Sequence, residues 1–260
     1  APRMGSRIVR RERWMPTGSS LFVMALLCAA QAARPIDTVM PTGSLSVPRY
    51  GANASLLVDG TVLIAGGSSV AGATVRAEIY HPSTGSFAAT GNMVGAFISR
   101  VSAQLANGSV LIAGGIDNAG HATASAELYN PASGAFTATG SLVTQRYDTA
   151  AVLLANGKVL IAGGLNSTGA QVLSLAELYD PATGTFAGTG SLVTARAGAT
   201  ATLLPNGMAL IAGGGDNTTA FASTELYDPG KGTFVYSSHA MAAARVAAVA
   251  INLDDGRVLI

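Results

Sequence analysis

The hydrophobic positions of this chain fall into short runs that recur. Val-Leu-Ile-Ala stands at 62–65, 110–113 and 159–162, Ala-Leu-Ile-Ala at 209–212, and Val-Leu-Ile at 258–260. Each run follows Asp-Gly or Asn-Gly, and the first four end on a glycine pair: Gly66-Gly67, Gly114-Gly115, Gly163-Gly164 and Gly213-Gly214. A short, continuous, β-branched run predicts a strand buried on both faces. Asx-Gly between apolar runs predicts a tight hairpin of type I′, with positive φ at both central residues. A glycine pair has no Cβ, so it predicts close backbone packing or an unusual φ.

The first glycines of successive pairs are 48, 49 and 50 residues apart, a period that marks a repeat array. Within each unit about ten polar and small residues follow the pair. Then come Ala77-Glu78-Ile79-Tyr80, Ala126-Glu127-Leu128-Tyr129, Ala176-Glu177-Leu178-Tyr179 and Thr224-Glu225-Leu226-Tyr227. Asp180-Pro181-Ala182-Thr183-Gly184 predicts a turn, because Pro presets φ and Gly takes the left-handed position. A last strand begins at the aromatic seven residues beyond the Tyr: Phe87, Phe136, Phe186 and Phe234. One unit therefore carries four strands, A to D, with A the small-residue run typified by 197–204. The fold class is all-β, with four-stranded antiparallel blades repeated along the chain.

With the glycine pair, the Tyr, the following aromatic and the Arg that opens each unit (Arg49, Arg146, Arg196, Arg245), residues 38–260 resemble a kelch-repeat β-propeller. The resemblance places the protein in the galactose-oxidase-like propeller superfamily and is nearly silent on function, since propellers host many activities. Full units span 46–94, 95–143, 144–193 and 194–243, and a partial unit spans 244–260. Residues 36–45 match strand D without an A, B or C before it. About 4.5 blades are thus expected here, an incomplete ring. The reading predicts a fragment, with the remaining blades supplied by the same polypeptide.

The unit-opening Arg stands eleven residues before the turn Gly, and in unit two that slot holds Phe97, with Arg100 displaced by three. The Glu two residues before each Tyr shares its strand face. These recurring charges are expected to be scaffold: Arg and Glu meeting between blades in partly buried pairs, with an altered partner for Glu127.

The N-terminus reads differently. Residues 1–3 precede Met4 and read as upstream read-through or non-native residues. Arg7, Arg10, Arg11 and Arg13, the apolar run 21–30 and the small-x-small site Ala30-Gln31-Ala32 predict a secretory signal peptide over 1–32. About ten apolar residues are too few for a membrane span. A twin-arginine signal at Arg10-Arg11 and a lipoprotein cysteine at Cys28 are weaker readings, given Arg13-Trp14 and Leu27. The chain holds 15 basic and 14 acidic residues; removing the segment's five Arg and one Glu leaves 10 and 13, a formal −3. No basic cluster remains to track phosphates, which argues against nucleic acid. The expected location is periplasmic, cell-surface or extracellular.

Candidate chemistry is sparse. His81, His121 and His239 occupy different positions of the repeat and give no metal-ligand spacing, and no Ser lies in a Gly-x-Ser-x-Gly elbow. No catalytic residue, metal or cofactor is predicted. The enzyme alternative is a fragment of a carbohydrate-active or copper-radical oxidase; the resemblance implies that the latter needs a Tyr–Cys crosslink, and Cys28 lies in the signal. A third alternative is a structural or adhesive surface array. What varies between units is the B–C loop, at 68–76, 116–125, 165–175 and 215–223. Variable loops on a rigid scaffold are where recognition sits. The candidate binding residues are Arg76, Asp117, Asn118, His121, Asn166, Asp216, Asn217 and Phe221, with Tyr50, Tyr147 and Asp148 after the Arg slot. Tyr147 and Phe221 suit stacking on a sugar or anchoring a peptide. The expected function is non-catalytic recognition of a protein or glycan.

Overall fold

The computed structural model describes residues 41–166 and 171–260. The segment read as a signal peptide and residues 36–40 of the opening strand D lie outside the described residues, as does part of the third B–C loop. Unit one forms β1 (Asn53–Leu56), β2 (Val62–Ala65), the loop hairpin β3 (Ser68–Ser69) and β4 (Gly72–Ala73), β5 (Ala77–His81) and β6 (Ser86–Ala89). Unit two forms β7 (Val101–Gln104), β8 (Val110–Ala113), β9 (Ala126–Asn130) and β10 (Ala135–Ala138). Unit three forms β11 (Ala150–Leu153), β12 (Val159–Ala162), β13 (Ala176–Asp180) and β14 (Thr185–Gly188). Unit four forms β15 (Ala197–Leu203), β16 (Ala209–Gly215), β17 (Thr224–Asp228) and β18 (Thr233–Tyr236), and β19 (Ile251–Asn252) pairs with β20 (Val258–Leu259).

Each of the four units is one four-stranded antiparallel sheet in the order A-B-C-D. The first strands of successive units, β1, β7, β11, β15 and β19, lie against one another along one converging edge. The molecule is all-β, with no helix among the described residues, and the repeated arrangement is compatible with a propeller-like fold.

The second strands carry the core. All four residues of β2, β8 and β12 are buried. Their two faces serve different neighbours. Leu63 and Ala65 of β2 pack with Val110 and Ile112 of β8. Leu111 and Ala113, on the other face of β8, pack with Val159 and Ile161 of β12. Leu160 and Ala162 meet Ala209 and Ile211 in the same way. Each fully buried aliphatic side chain contributes about 1.5–3 kcal/mol, so the layers are held mainly by these contacts.

The Asx-Gly hairpins depart from the predicted type I′ turn. The only left-handed residue in each is the glycine: Gly60, Gly108, Gly157, Gly207 and Gly256, at φ of 81° to 84°. Gly60 N–H donates to Leu57 O at 3.0 Å, and Leu57 N–H to Thr61 O at 2.8 Å. This is a type I turn closed by a left-handed glycine. The Asx side chain explains the choice: Asp59 Oδ1 accepts the Thr61 N–H at 3.0 Å, and Asn107, Asn156, Asn206 and Asp255 do the same two residues on. That self-capping bond stabilises the residue in right-handed conformation. In the C–D turns Gly85, Gly134, Gly184 and Gly232 are left-handed, as the Pro-containing pattern predicts.

Units interlock through the connectors between strand D and the next strand A. Gly91, Gly140 and Gly190 each donate a backbone N–H to the C–D turn glycine of the next unit, at 2.9 to 3.0 Å. The preceding Thr90, Thr139 and Thr189 pair with the hydroxyls of Tyr129, Tyr179 and Tyr227 at 2.8 to 2.9 Å. Thr42 and Gly43 make the same two contacts to Tyr80 and Gly85, so 42–45 behaves as a connector. Each Tyr also meets the Phe opposite it on strand D, centroids 4.7 to 4.9 Å apart.

Candidate functional site

The alternation of strands gives each sheet two distinct ends. A–B hairpins and C–D turns form one, which we call the turn end. B–C loops and connectors form the other, the loop end. The turn end repeats with little change, whereas at the loop end each B–C loop keeps an antiparallel bridge at its base but differs in length and in its side chains.

The loop end rests on buried ion pairs. Arg49 reaches Glu78 at 2.5 Å, Arg146 reaches Glu177 at 2.6 Å and Arg196 reaches Glu225 at 2.8 Å, with both side chains 4% exposed or less. Each guanidinium also donates to the carbonyl of the first glycine of its unit's pair and to a carbonyl just before strand C. Burial pulls the pKa of Arg49, Arg100 and Arg146 below the usual arginine value, while the facing Glu pushes it back up. The sequence reading placed these buried pairs between blades; they instead lie within one unit. The link between units comes from the same carboxylates, which accept backbone N–H groups of the arriving connector: Val94 at Glu127, Val143 at Glu177 and Val193 at Glu225, with Ser46 making the same contact to Glu78 within unit one.

Unit two solves the same problem from another position. Phe97 holds the opening slot, and Arg100, next to β7, sends its guanidinium to Glu127 at 2.5 Å. Phe97 then covers that guanidinium, its ring centroid 5.3 Å from Cζ. Phe221 covers Arg196 similarly at 5.4 Å, so this candidate recognition residue packs on a scaffold arginine. Arg245 is exposed, unlike its four counterparts.

The glycine pairs receive the next unit's backbone. Gly115, Gly164 and Gly214 donate to Arg146, Arg196 and Arg245 carbonyls at 2.8 to 2.9 Å. A Cβ on Gly114 or Gly163 would stand 2.3 Å from the same carbonyl oxygens.

Two residues beyond each opening slot the chain turns left-handed: Gly51, Ser99, Asp148, Gly198 and Ala247, at φ of 49° to 63°. These residues hydrogen-bond from unit to unit. Asp148 N–H donates to Ser99 O at 3.3 Å, Gly198 to Asp148 O at 2.8 Å and Ala247 to Gly198 O at 2.8 Å. They form a file along the converging edge. The Asp148 residue is open to solvent at its surface, yet the surrounding units remove enough water to raise its carboxyl pKa above the usual range. The Ser99 side chain, facing it, works in the opposite direction. The Tyr147 hydroxyl is raised as well, first by desolvation and then by the nearby Asp148 charge.

The remaining candidates are spread over the B–C loops. Asp117 uses its carboxylate to cap its own turn, accepting from Ala119 and His121 N–H, and its other oxygen sits 3.3 Å from His121 Nδ1. Asp216 caps Thr218 and Thr219 likewise, beside exposed Asn217. Asn118 bridges loops, its Oδ1 accepting from Ala73 N–H of unit one at 2.7 Å. Asn166 Nδ2 donates to Gln171 Oε1 at 3.3 Å, and exposed Arg76 lends its carbonyl to Arg49. Half-buried Tyr147 and exposed Tyr50 flank the left-handed file. Only Tyr50, Tyr147 and Asp148 are thus brought to the converging edge; the loop polar groups mostly serve their own turns. Ser99 was missed by sequence reasoning, although the column Gly51, Ser99, Asp148, Gly198 could have flagged a left-handed position.

Among the described residues, no three His, Cys, Asp or Glu side chains group as metal ligands, and no helix is long and apolar enough to cross a membrane. Two shallow grooves lie at the turn end, beside Ala155, Leu203, Pro205 and Leu253 and beside Asn156, Asn206 and Asp228.

No protein-family model matches the chain, and no curated protein sequence matches it significantly. Among solved structures the match is extensive, with 318 chains, so the architecture is a common one and does not by itself select a function. The structure of YjhT is similar to this chain with a TM-score of 0.69 at 14% identity, covering 81% of this chain and 79% of that one. At that identity the similarity concerns the fold.

Proposed function

We propose that the chain is an exported, non-catalytic kelch-type β-propeller module that recognises a protein or glycan through its loop end. The observation that carries the reading is the contrast between the ends. The turn end repeats one self-capped Asx-Gly turn five times. The loop end holds a β3–β4 hairpin in unit one, an Asp117-capped turn in unit two and an extended β16 with an Asp216-capped turn in unit four. A rigid base of buried Arg–Glu pairs presents these differing loops, the usual division between scaffold and recognition surface. Export is supported by the Arg-rich, then apolar, N-terminal segment.

The test is a binding screen against immobilised glycans and extracellular proteins. Tyr147→Ala and His121→Ala represent the loop end, and Lys158→Ala the turn end. Loss of binding in the loop-end variants, with Lys158→Ala unaffected, is the expected result. Equal loss in Lys158→Ala, or no binding partner in either screen, contradicts the proposal.

A further inference from the structure

The left-handed file contains two polar side chains that its backbone bonds do not require, Ser99 and Asp148, which face each other across a unit boundary. All five positions need φ near +55°, which glycine adopts freely and other residues adopt at a cost. Gly198 makes its backbone bonds to Asp148 and Ala247 at 2.8 Å with no side chain at all. Backbone linkage therefore explains neither the hydroxyl of Ser99 nor the carboxyl of Asp148. Asp148 enters no ion pair among the described residues; its carboxyl faces the Ser99 hydroxyl of the preceding unit. The neighbouring positions differ in room. A Cβ on Gly198 would meet Val246 Cγ1 at 2.7 Å, but one on Gly51 would find nothing nearer than Ser99 N at 4.0 Å. Open space thus lies at Gly51 next to Ser99, Asp148 is itself exposed, and the Tyr147 hydroxyl lies close enough to feel the Asp148 charge.

We infer that Gly51, Ser99 and Asp148 form a subsite for the hydroxyl groups of a neutral carbohydrate. This rests on the loop-end recognition reading and names its ligand class. A hydroxyl beside a carboxyl both donates and accepts, which matches adjacent sugar hydroxyls. Tyrosines supply an apolar face with a polar tip, suited to a sugar ring. A metal cation fits poorly, because among the described residues no three His, Cys, Asp or Glu side chains converge there and the surroundings of Asp148 disfavour charge.

The experiment is saturation-transfer NMR of the 260-residue chain with a panel of free neutral mono- and disaccharides, repeated on Asp148→Gly and Ser99→Gly. Glycine satisfies the backbone, so both variants are expected to keep the melting temperature or raise it. Saccharide affinity is expected to fall on the order of fivefold in Asp148→Gly, the loss of one net hydrogen bond. Unchanged affinity in both variants overturns the subsite while leaving loop-end recognition standing. A wild-type chain that binds no saccharide of the panel overturns the ligand class, and the broader reading then rests on the protein screen alone. A lowered melting temperature in Asp148→Gly overturns the premise that the side chain is not there for the fold.

Discussion

Arg100 Nη1 lies 2.5 Å from Glu127 Oε1, although Arg100 stands three residues beyond the position that supplies the guanidinium in the other three sheets. The buried carboxylate fixes the need, and the chain meets it from wherever an arginine can reach. The route differs in one detail. Nε of Arg49, Arg146 and Arg196 donates to a carbonyl two residues back, whereas Nε of Arg100 has no partner. Arg100→Ser should leave Glu127 buried and unpaired and cost on the order of 3 kcal/mol. Phe97→Arg in that background should recover much of the loss, measured by urea denaturation. Failure of the second change to rescue the first would show that the two routes are not interchangeable.

The same reasoning applies where the pattern is regular. Arg196→Ala removes a guanidinium 2.8 Å from Glu225, both side chains being fully buried. The expected cost is again on the order of 3 kcal/mol. Lys158→Ala breaks an exposed pair with Asp180 and should cost about 1 kcal/mol or less. Similar denaturation midpoints for the two variants would contradict the assignment.

Glycines separate into two classes. Gly163 and Gly157 are both left-handed, at φ of 68° and 81°. A Cβ on Gly157 meets nothing within 4 Å, while one on Gly163 stands 2.3 Å from Arg196 O. Gly157→Ala should cost about 1 kcal/mol for the backbone alone. Gly163→Ala should cost clearly more, because the next unit's connector must move. Thermal unfolding ranks them, and a reversed order would refute the role of the pair as a docking slot.

These particulars also show what the sequence could reveal. The strands, the core runs and the Arg and Glu slots were legible, because each recurs at a fixed position and burial leaves a periodic trace. The hairpin type was not, since Asn-Gly serves both type I′ and a type I turn with a left-handed glycine, and the Asx self-cap decides between them. The Arg and Glu pairs were read as meeting between units when they meet within one, because a repeat spacing fits both. The left-handed file was half visible through Gly51 and Gly198, but Ala247 gives no hint of its φ. Among the loop candidates, turn-capping Asp117 and Asp216 resemble ligand-binding residues in sequence, because both uses favour short polar side chains.

Asp148 provides a test by pH. Its carboxyl pKa is raised in the folded chain, chiefly by desolvation. The native state therefore holds the proton more tightly than the unfolded chain does. Stability from this group is greatest below the ordinary Asp value of about 3.9 and declines as pH rises through the folded value. Asp148→Asn, which keeps a residue tolerant of left-handed φ, should be the more stable form near neutrality, and the difference should shrink toward acid. A wild type gaining stability relative to Asp148→Asn as pH rises would reverse the sign and refute the desolvation account.

Export is checked by N-terminal sequencing of the protein recovered outside the inner membrane of a bacterial host. The expected first residue is Ala33. Cytosolic protein retaining the 21–30 segment would contradict it.

The division of labour between the two ends is tested most directly by hydrogen–deuterium exchange with and without a partner from the binding screen. Protection on binding should appear at 68–76, 116–125 and 215–223 and at the file residues Ser99 and Asp148, and the hairpins around Gly60, Gly108, Gly157 and Gly207 should exchange unchanged. Protection centred on those hairpins, with the loops unaffected, would contradict recognition through the loop end.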